Sequence, residues 1–73
     1  MKELKIIGQN IVRRRKAAGW TQDDLCSVAG IDRSYLSEIE NGKMNVTIRS
    51  LALIASTLGC GVADLVAERR ARR

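Results

Sequence analysis

Residues 21–36 read Thr21-Gln22-Asp23-Asp24-Leu25-Cys26-Ser27-Val28-Ala29-Gly30-Ile31-Asp32-Arg33-Ser34-Tyr35-Leu36, and two helix starts lie within them. Thr21 suits an N-cap, because its hydroxyl can accept a hydrogen bond from a free backbone N–H of the first turn. Asp24 stands where a capping box puts its acidic member, and Asp23 and Asp24 together suit the positive end of a helix dipole. Trp20 and Leu25 occupy the two positions of a hydrophobic staple. The device then repeats, with Asp32 as cap and Ile31 and Leu36 as staple. Gly30 separates the two, a residue that readily takes the left-handed conformation closing a helix. The spacing predicts helices over about 22–29, facing Leu25, Cys26 and Ala29 inward, and about 33–40, burying Leu36 and Ile39.

Upstream, Leu4, Ile7, Ile11, Arg15 and Ala18 recur at spacings of three and four, predicting a first helix from Lys2 or Glu3 to Ala18 that Gly19 ends. Downstream, Glu40-Asn41-Gly42-Lys43 forms the exit of the third helix, and Val46-Thr47-Ile48-Arg49-Ser50-Leu51 a further capped start. A fourth helix follows with Ile48, Leu51, Ile54, Ala55 and Leu58 as its core stripe, closed by Gly59. Gly61 caps a short fifth helix ending near Glu68. The expected fold is all-α, with five helices in one domain over residues 1–68 and a basic tail over 69–73.

Composition agrees with that reading. Proline is absent and Trp20 and Tyr35 are the only aromatic residues, so the core is aliphatic. At 73 residues the chain buries only about 60% of its unfolded surface and gains from dimerisation. Net charge is +5, but Arg69, Arg70, Arg72 and Arg73 supply four positives, leaving nine basic against eight acidic residues in the body. A pI near 9.9 favours nucleic acid or anionic surfaces. Cys26 and Cys60, with no histidine anywhere, do not make a zinc site and read as buried free thiols of a reducing, cytoplasmic setting. No nucleophile–base pair exists, so catalysis is not expected, nor any cofactor. Gly59-Cys60-Gly61 lacks the third glycine and preceding strand of a dinucleotide loop. The longest uncharged stretch, Ser50 to Ala63, falls short of the roughly 20 residues of a membrane span.

Two helices of about two turns joined through Gly30 have the geometry of a helix-turn-helix, whose second helix is presented outward. Its outer face would carry Arg33, Ser34, Ser37, Glu38 and, in the first turn, Tyr35. Arginine can donate two bonds to a guanine edge, and serine can meet either base edge. Any surface helix with one apolar face has the same pattern, so spacing alone leaves the function open.

The sequence resembles the lambda-repressor/Cro-like helix-turn-helix family. The resemblance lies in Gly19-Trp20-Thr21-Gln22, in the run Ala29 to Lys43 with its Ile-Glu-Asn-Gly-Lys exit, and in Leu58-Gly59, and it covers about residues 5 to 66. Within that family, Asp32 to Ser37 followed by Glu40-Asn41-Gly42-Lys43-Met44-Asn45-Val46-Thr47-Ile48 is most similar to the controller proteins of restriction–modification systems. What the resemblance implies is a DNA-binding transcriptional regulator, homodimeric on a pseudo-palindromic operator, reading DNA with Arg33, Ser34 and Tyr35. Gln22 would bind phosphate at its helix N-terminus, with further phosphate contacts from Thr21, Lys43, Asn45 and Thr47. Several controller proteins carry arginine just before the Asn-Val segment; here that residue is Met44, so its contact is missing or moved to Lys43. The resemblance also implies an internal Arg15–Glu40 ion pair, against the alternative that Arg15 joins Arg13 and Arg14 in binding phosphate. Leu53 and Val66 fall off their core stripes and are candidates for a symmetric dimer contact through the last two helices. RNA polymerase would be a further partner of such a regulator. The competing reading is an antitoxin-type interaction module that binds DNA secondarily.

Overall fold

The computed structural model describes residues 2–68. It has five helices: α1 (Lys2–Ala17), α2 (Gln22–Ala29), α3 (Arg33–Glu40), α4 (Ile48–Leu58) and α5 (Val62–Val66). The arginine tail lies outside the described residues. No helix among them is long and apolar enough to cross a membrane.

α2 to α5 each start through local chemistry. Thr21 accepts from Asp24 N–H at 3.0 Å while Asp24 accepts from Thr21 N–H at 2.9 Å, a reciprocal capping box. Asp32 accepts from the N–H groups of Ser34 and Tyr35. Thr47 accepts from Ser50 N–H at 3.0 Å. At the α2–α3 turn Gly30 has φ +75°, and its own N–H and that of Ile31 both donate to the Cys26 carbonyl. That closure turns the chain tightly enough to set α3 across α2.

The core is a single cluster in which Ile11, Leu25, Leu36, Ile39, Ile54 and Leu65 are the fully buried side chains. Cys26, Ala29, Leu51 and Ala55 complete it, and Trp20, Tyr35, Met44 and Val46 pack half-buried against it. α1 supports both α3 and α5, and α2 packs on α3 and α4. Gly8 makes the α1–α3 approach feasible: a Cβ there would sit 2.5 Å from the carbonyl oxygens of Ile39 and Glu40.

Four expectations need correction. Ala18 lies beyond α1 and is exposed, because the chain has already begun its closing turn, with Gly19 N–H donating to Lys16 and Trp20 N–H to Arg15. Ile48 is not core; it is 72% exposed. It is the first residue after the Thr47 cap, where side chains lean past the helix end. Val46, preceding the cap, packs inward instead, on the core cluster that includes Leu51. α5 ends at Val66 rather than near Glu68, with Ala67 extended at φ −73°, ψ 133°. Asn10 explains that stop: buried on α1, its amide donates to the carbonyls of Leu65 and Ala67, each at 2.8 Å. Finally, Cys60, expected to be buried, is half-buried in the α4–α5 turn, while Cys26 is buried; both thiols are free.

Candidate nucleic-acid interface

α3 is anchored by Leu36 and Ile39, at 0% and 1% exposure, which fixes the opposite side of the helix outward. Arg33, Ser34 and Glu38 are exposed there, and Ser37 is half-buried at the edge. Arg33 reaches back to α2, its guanidinium 3.2 Å from the Asp23 carboxylate. Both side chains of that pair are more than half exposed, so the contact is worth only about 0–1 kcal/mol and can exchange for another anion. Tyr35 differs from its neighbours. It is half-buried against the core, and the polar groups of Ser50 first, then of Thr47, outweigh that burial and hold its ionisation below the ordinary tyrosine range.

The segment after α3 is irregular, and its side chains alternate. Lys43, Asn45 and Thr47 are exposed, whereas Met44 and Val46 lean on the core. Two inward anchors therefore hold three polar residues outward in the stretch between α3 and α4. Gly42, at φ +71°, begins this segment, and a Cβ there would press on Lys5 at 3.0 Å. Met44 thus serves as an anchor at the position where an arginine contact is absent.

Beneath α2 and α3 lies a polar knot. Arg15 donates to both carboxylate oxygens of Glu40, at 2.7 and 2.9 Å, and to the Trp20 carbonyl at 2.9 Å. The two side chains are only 10% and 5% exposed. The Glu40 contact raises the Arg15 pKa further above its usual value. Gln22, at the first turn of α2, donates one amide hydrogen to Glu40 at 2.9 Å. An amide carries two such hydrogens, so one is left for a further acceptor. Arg13 donates to Asn10 Oδ1 at 2.8 Å, and Arg14 faces Asp64 at 3.8 Å. Thr21 is exposed at the same end of α2 as Gln22.

Thr21 and Gln22 thus stand at the capped start of α2, Arg33 and Ser34 at that of α3 and Thr47 at that of α4, with Lys43 and Asn45 in the segment before it and Ser37 and Glu38 further along α3. Leu53 and Val66, 37% and 46% exposed, lie on α4 and α5. Sequence reasoning did not find the Asn10 clamp, the Gln22–Glu40 bond or the Arg33–Asp23 pair. The first two join residues far apart in the chain, so no local pattern could have revealed them. Asp23, in the first turn of α2, offered only its charge as a signal.

Comparison with known proteins gives the geometry a family. The helix-turn-helix profile matches residues 11–65. The chain is 36% identical over 62 residues to the HTH-type transcriptional regulator y4dJ of Sinorhizobium fredii, covering 85% of this chain and 80% of that one. The crystal structure of the restriction-modification controller protein C.AhdI from Aeromonas hydrophila superposes with a TM-score of 0.85 at 31% identity, over 89% of this chain and 98% of that one. SinR, the master regulator for biofilm formation, solved in complex with DNA, superposes at 0.81 with 35% identity, over 84% of this chain and 98% of that one. Other curated relatives are longer, and the chain spans about half of their length. On profile, identity and superposition together, this chain belongs to the helix-turn-helix family of DNA-binding transcriptional regulators.

Proposed function

We propose that the protein is a homodimeric regulator that reads a pseudo-palindromic operator with α3, in the manner of a restriction–modification controller protein. The observation that carries this reading is the presentation of α3. Its inner face is sealed in the core by Leu36 and Ile39, and its outer face offers Arg33 and Ser34 at the capped N-terminal turn. Helix-turn-helix proteins meet base edges with the N-terminal residues of the second helix. Arg33 and Ser34 contact bases in this scheme, with Ser37 and Glu38 further along the groove. Thr21, Gln22, Lys43, Asn45, Thr47 and the free amides of the helix starts contact phosphates.

One such helix contacts only a few base pairs, too few to select a site in a genome, whereas two copies on one DNA face double the information. Leu53 and Val66, exposed on adjacent helices, supply an apolar contact for a second copy. The similarity to C.AhdI, named as a restriction-modification controller protein, favours the controller form of this reading. Activation from such a site would bring RNA polymerase in as a further partner. Selection of bound duplexes from a random DNA pool tests the reading. An inverted repeat with half-sites about one helical turn apart, roughly 34 Å, is the expected product. Enrichment of a single unrepeated motif, or of none, would contradict it.

A further inference from the structure

A surface glutamine rotates about its side-chain bonds and loses that freedom when it settles on a ligand, which weakens the contact it makes. Gln22, half-buried at the first turn of α2, is already held. Its Nε2 donates to Glu40 Oε1 at 2.9 Å, an oxygen that also accepts from Arg15 Nη2 at 2.9 Å. Arg15 Nε donates to the other oxygen, Oε2, at 2.7 Å, so the carboxylate is gripped on both sides and its plane is set. An ionised carboxylate only accepts, so the amide it holds must turn its nitrogen inward. The two N–H bonds of a planar amide diverge, and with one on Glu40 the other leads away from that oxygen. Arg15 also offsets the charge of Glu40, whose side chain is 5% exposed, so no bare anion stands behind the amide to repel a phosphate. We propose that Glu40 is a positioning residue for DNA binding, holding the Gln22 amide so that its second N–H is ready for a backbone phosphate. One buried carboxylate then ties α1 to α3 and sets the aim of a phosphate contact on α2. The proposal rests on the reading of Gln22 as a phosphate contact.

The experiment compares the full chain with Gln22→Ala, Glu40→Gln and the double variant. The probes are the duplex enriched from the random pool and a scrambled duplex of equal length. Gln22→Ala is expected to weaken both duplexes by about tenfold, the loss of one hydrogen bond to a charged group. The salt slope should stay as it was, because a neutral amide releases no counterion. Glu40→Gln removes the charge and one acceptor oxygen, and is expected to weaken both duplexes by about threefold, the cost of ordering one freed side chain. In the Gln22→Ala background the same change should cost no further affinity, although its loss of stability remains. Equal losses in the two backgrounds would overturn the proposal and leave Glu40 a purely structural role. A second measurement needs no change at Glu40. The chain has two glutamines, and Gln9 is exposed on α1. In magnetic resonance spectra of the wild type without DNA, the Gln22 side-chain amide is identified by its absence in Gln22→Ala. One of its hydrogens should exchange with water more slowly than those of Gln9. Exchange as fast as at Gln9 would overturn the hold, even if Glu40→Gln failed to fold. A Gln22→Ala protein that binds both duplexes like the wild type would instead overturn the phosphate contact, and the amide exchange would still decide whether Glu40 holds Gln22.

Discussion

Lys43 and Arg33 carry the same charge but sit in different settings. Lys43 opens the irregular segment that Met44 and Val46 pin to the core, and its side chain lacks the flat, paired donors of arginine. An ammonium there acts as a point charge toward phosphate. Lys43→Ala is therefore expected to weaken operator and scrambled duplex alike, and to reduce the log–log salt slope by about one. Titrations at several salt concentrations check it; a loss confined to the operator would move Lys43 into the base-reading set. At this scale much was legible in the sequence. Thr21, Asp24, Asp32 and Thr47 could be placed as caps because a cap bonds to a residue two or three positions away. Gln22 and Glu40, 18 positions apart, meet only once the fold exists. Ile48 was misjudged for a related reason. Periodicity gives the direction of a side chain, but not whether another element lies in that direction.

At the scale of elements, the positions that matter most are those where backbone meets backbone. α1 carries the end of α3 against Gly8 and the end of α5 on Asn10. Gly8→Ala would drive a methyl into the carbonyls of Ile39 and Glu40, atoms that cannot swing aside. The expected cost is about 1–3 kcal/mol, as for other overpacked sites, read from denaturant unfolding. A gain in stability, as replacement of a helical glycine by alanine would give in open space, would contradict the close approach. Neither residue was readable as a tether, since a glycine or asparagine inside a helical pattern signals only weak propensity. α2, α3 and α4 were legible because each carries its own start and stop. Their contacts were not, because a glycine's role depends on the helix lying across it.

Over the whole molecule, the buried Arg15–Glu40 pair joins α1, the Trp20 turn, α2 and α3 in one network. Removing one partner leaves a desolvated charge, so Arg15→Ala or Glu40→Ala is expected to cost about 3–5 kcal/mol. The double variant should recover part of that loss, and strictly additive losses in unfolding would exclude the coupling. The proposed second copy bears on Leu53. Leu53→Asp should leave the unfolding of the monomer nearly unchanged and shift sedimentation toward the monomer at micromolar concentration. An unaltered dimer would remove Leu53 from the contact.

The proposal that α3 reads the operator is tested most directly by one comparison: the affinities of wild type and Arg33→Ala for the enriched duplex and a scrambled one, over a range of salt. Loss of a two-bond contact to guanine should cost roughly 1–3 kcal/mol on the enriched duplex and leave scrambled binding and its salt slope as they were. An Arg33→Ala protein that keeps the wild-type ratio between the two duplexes would contradict the assignment of α3 as the reading helix.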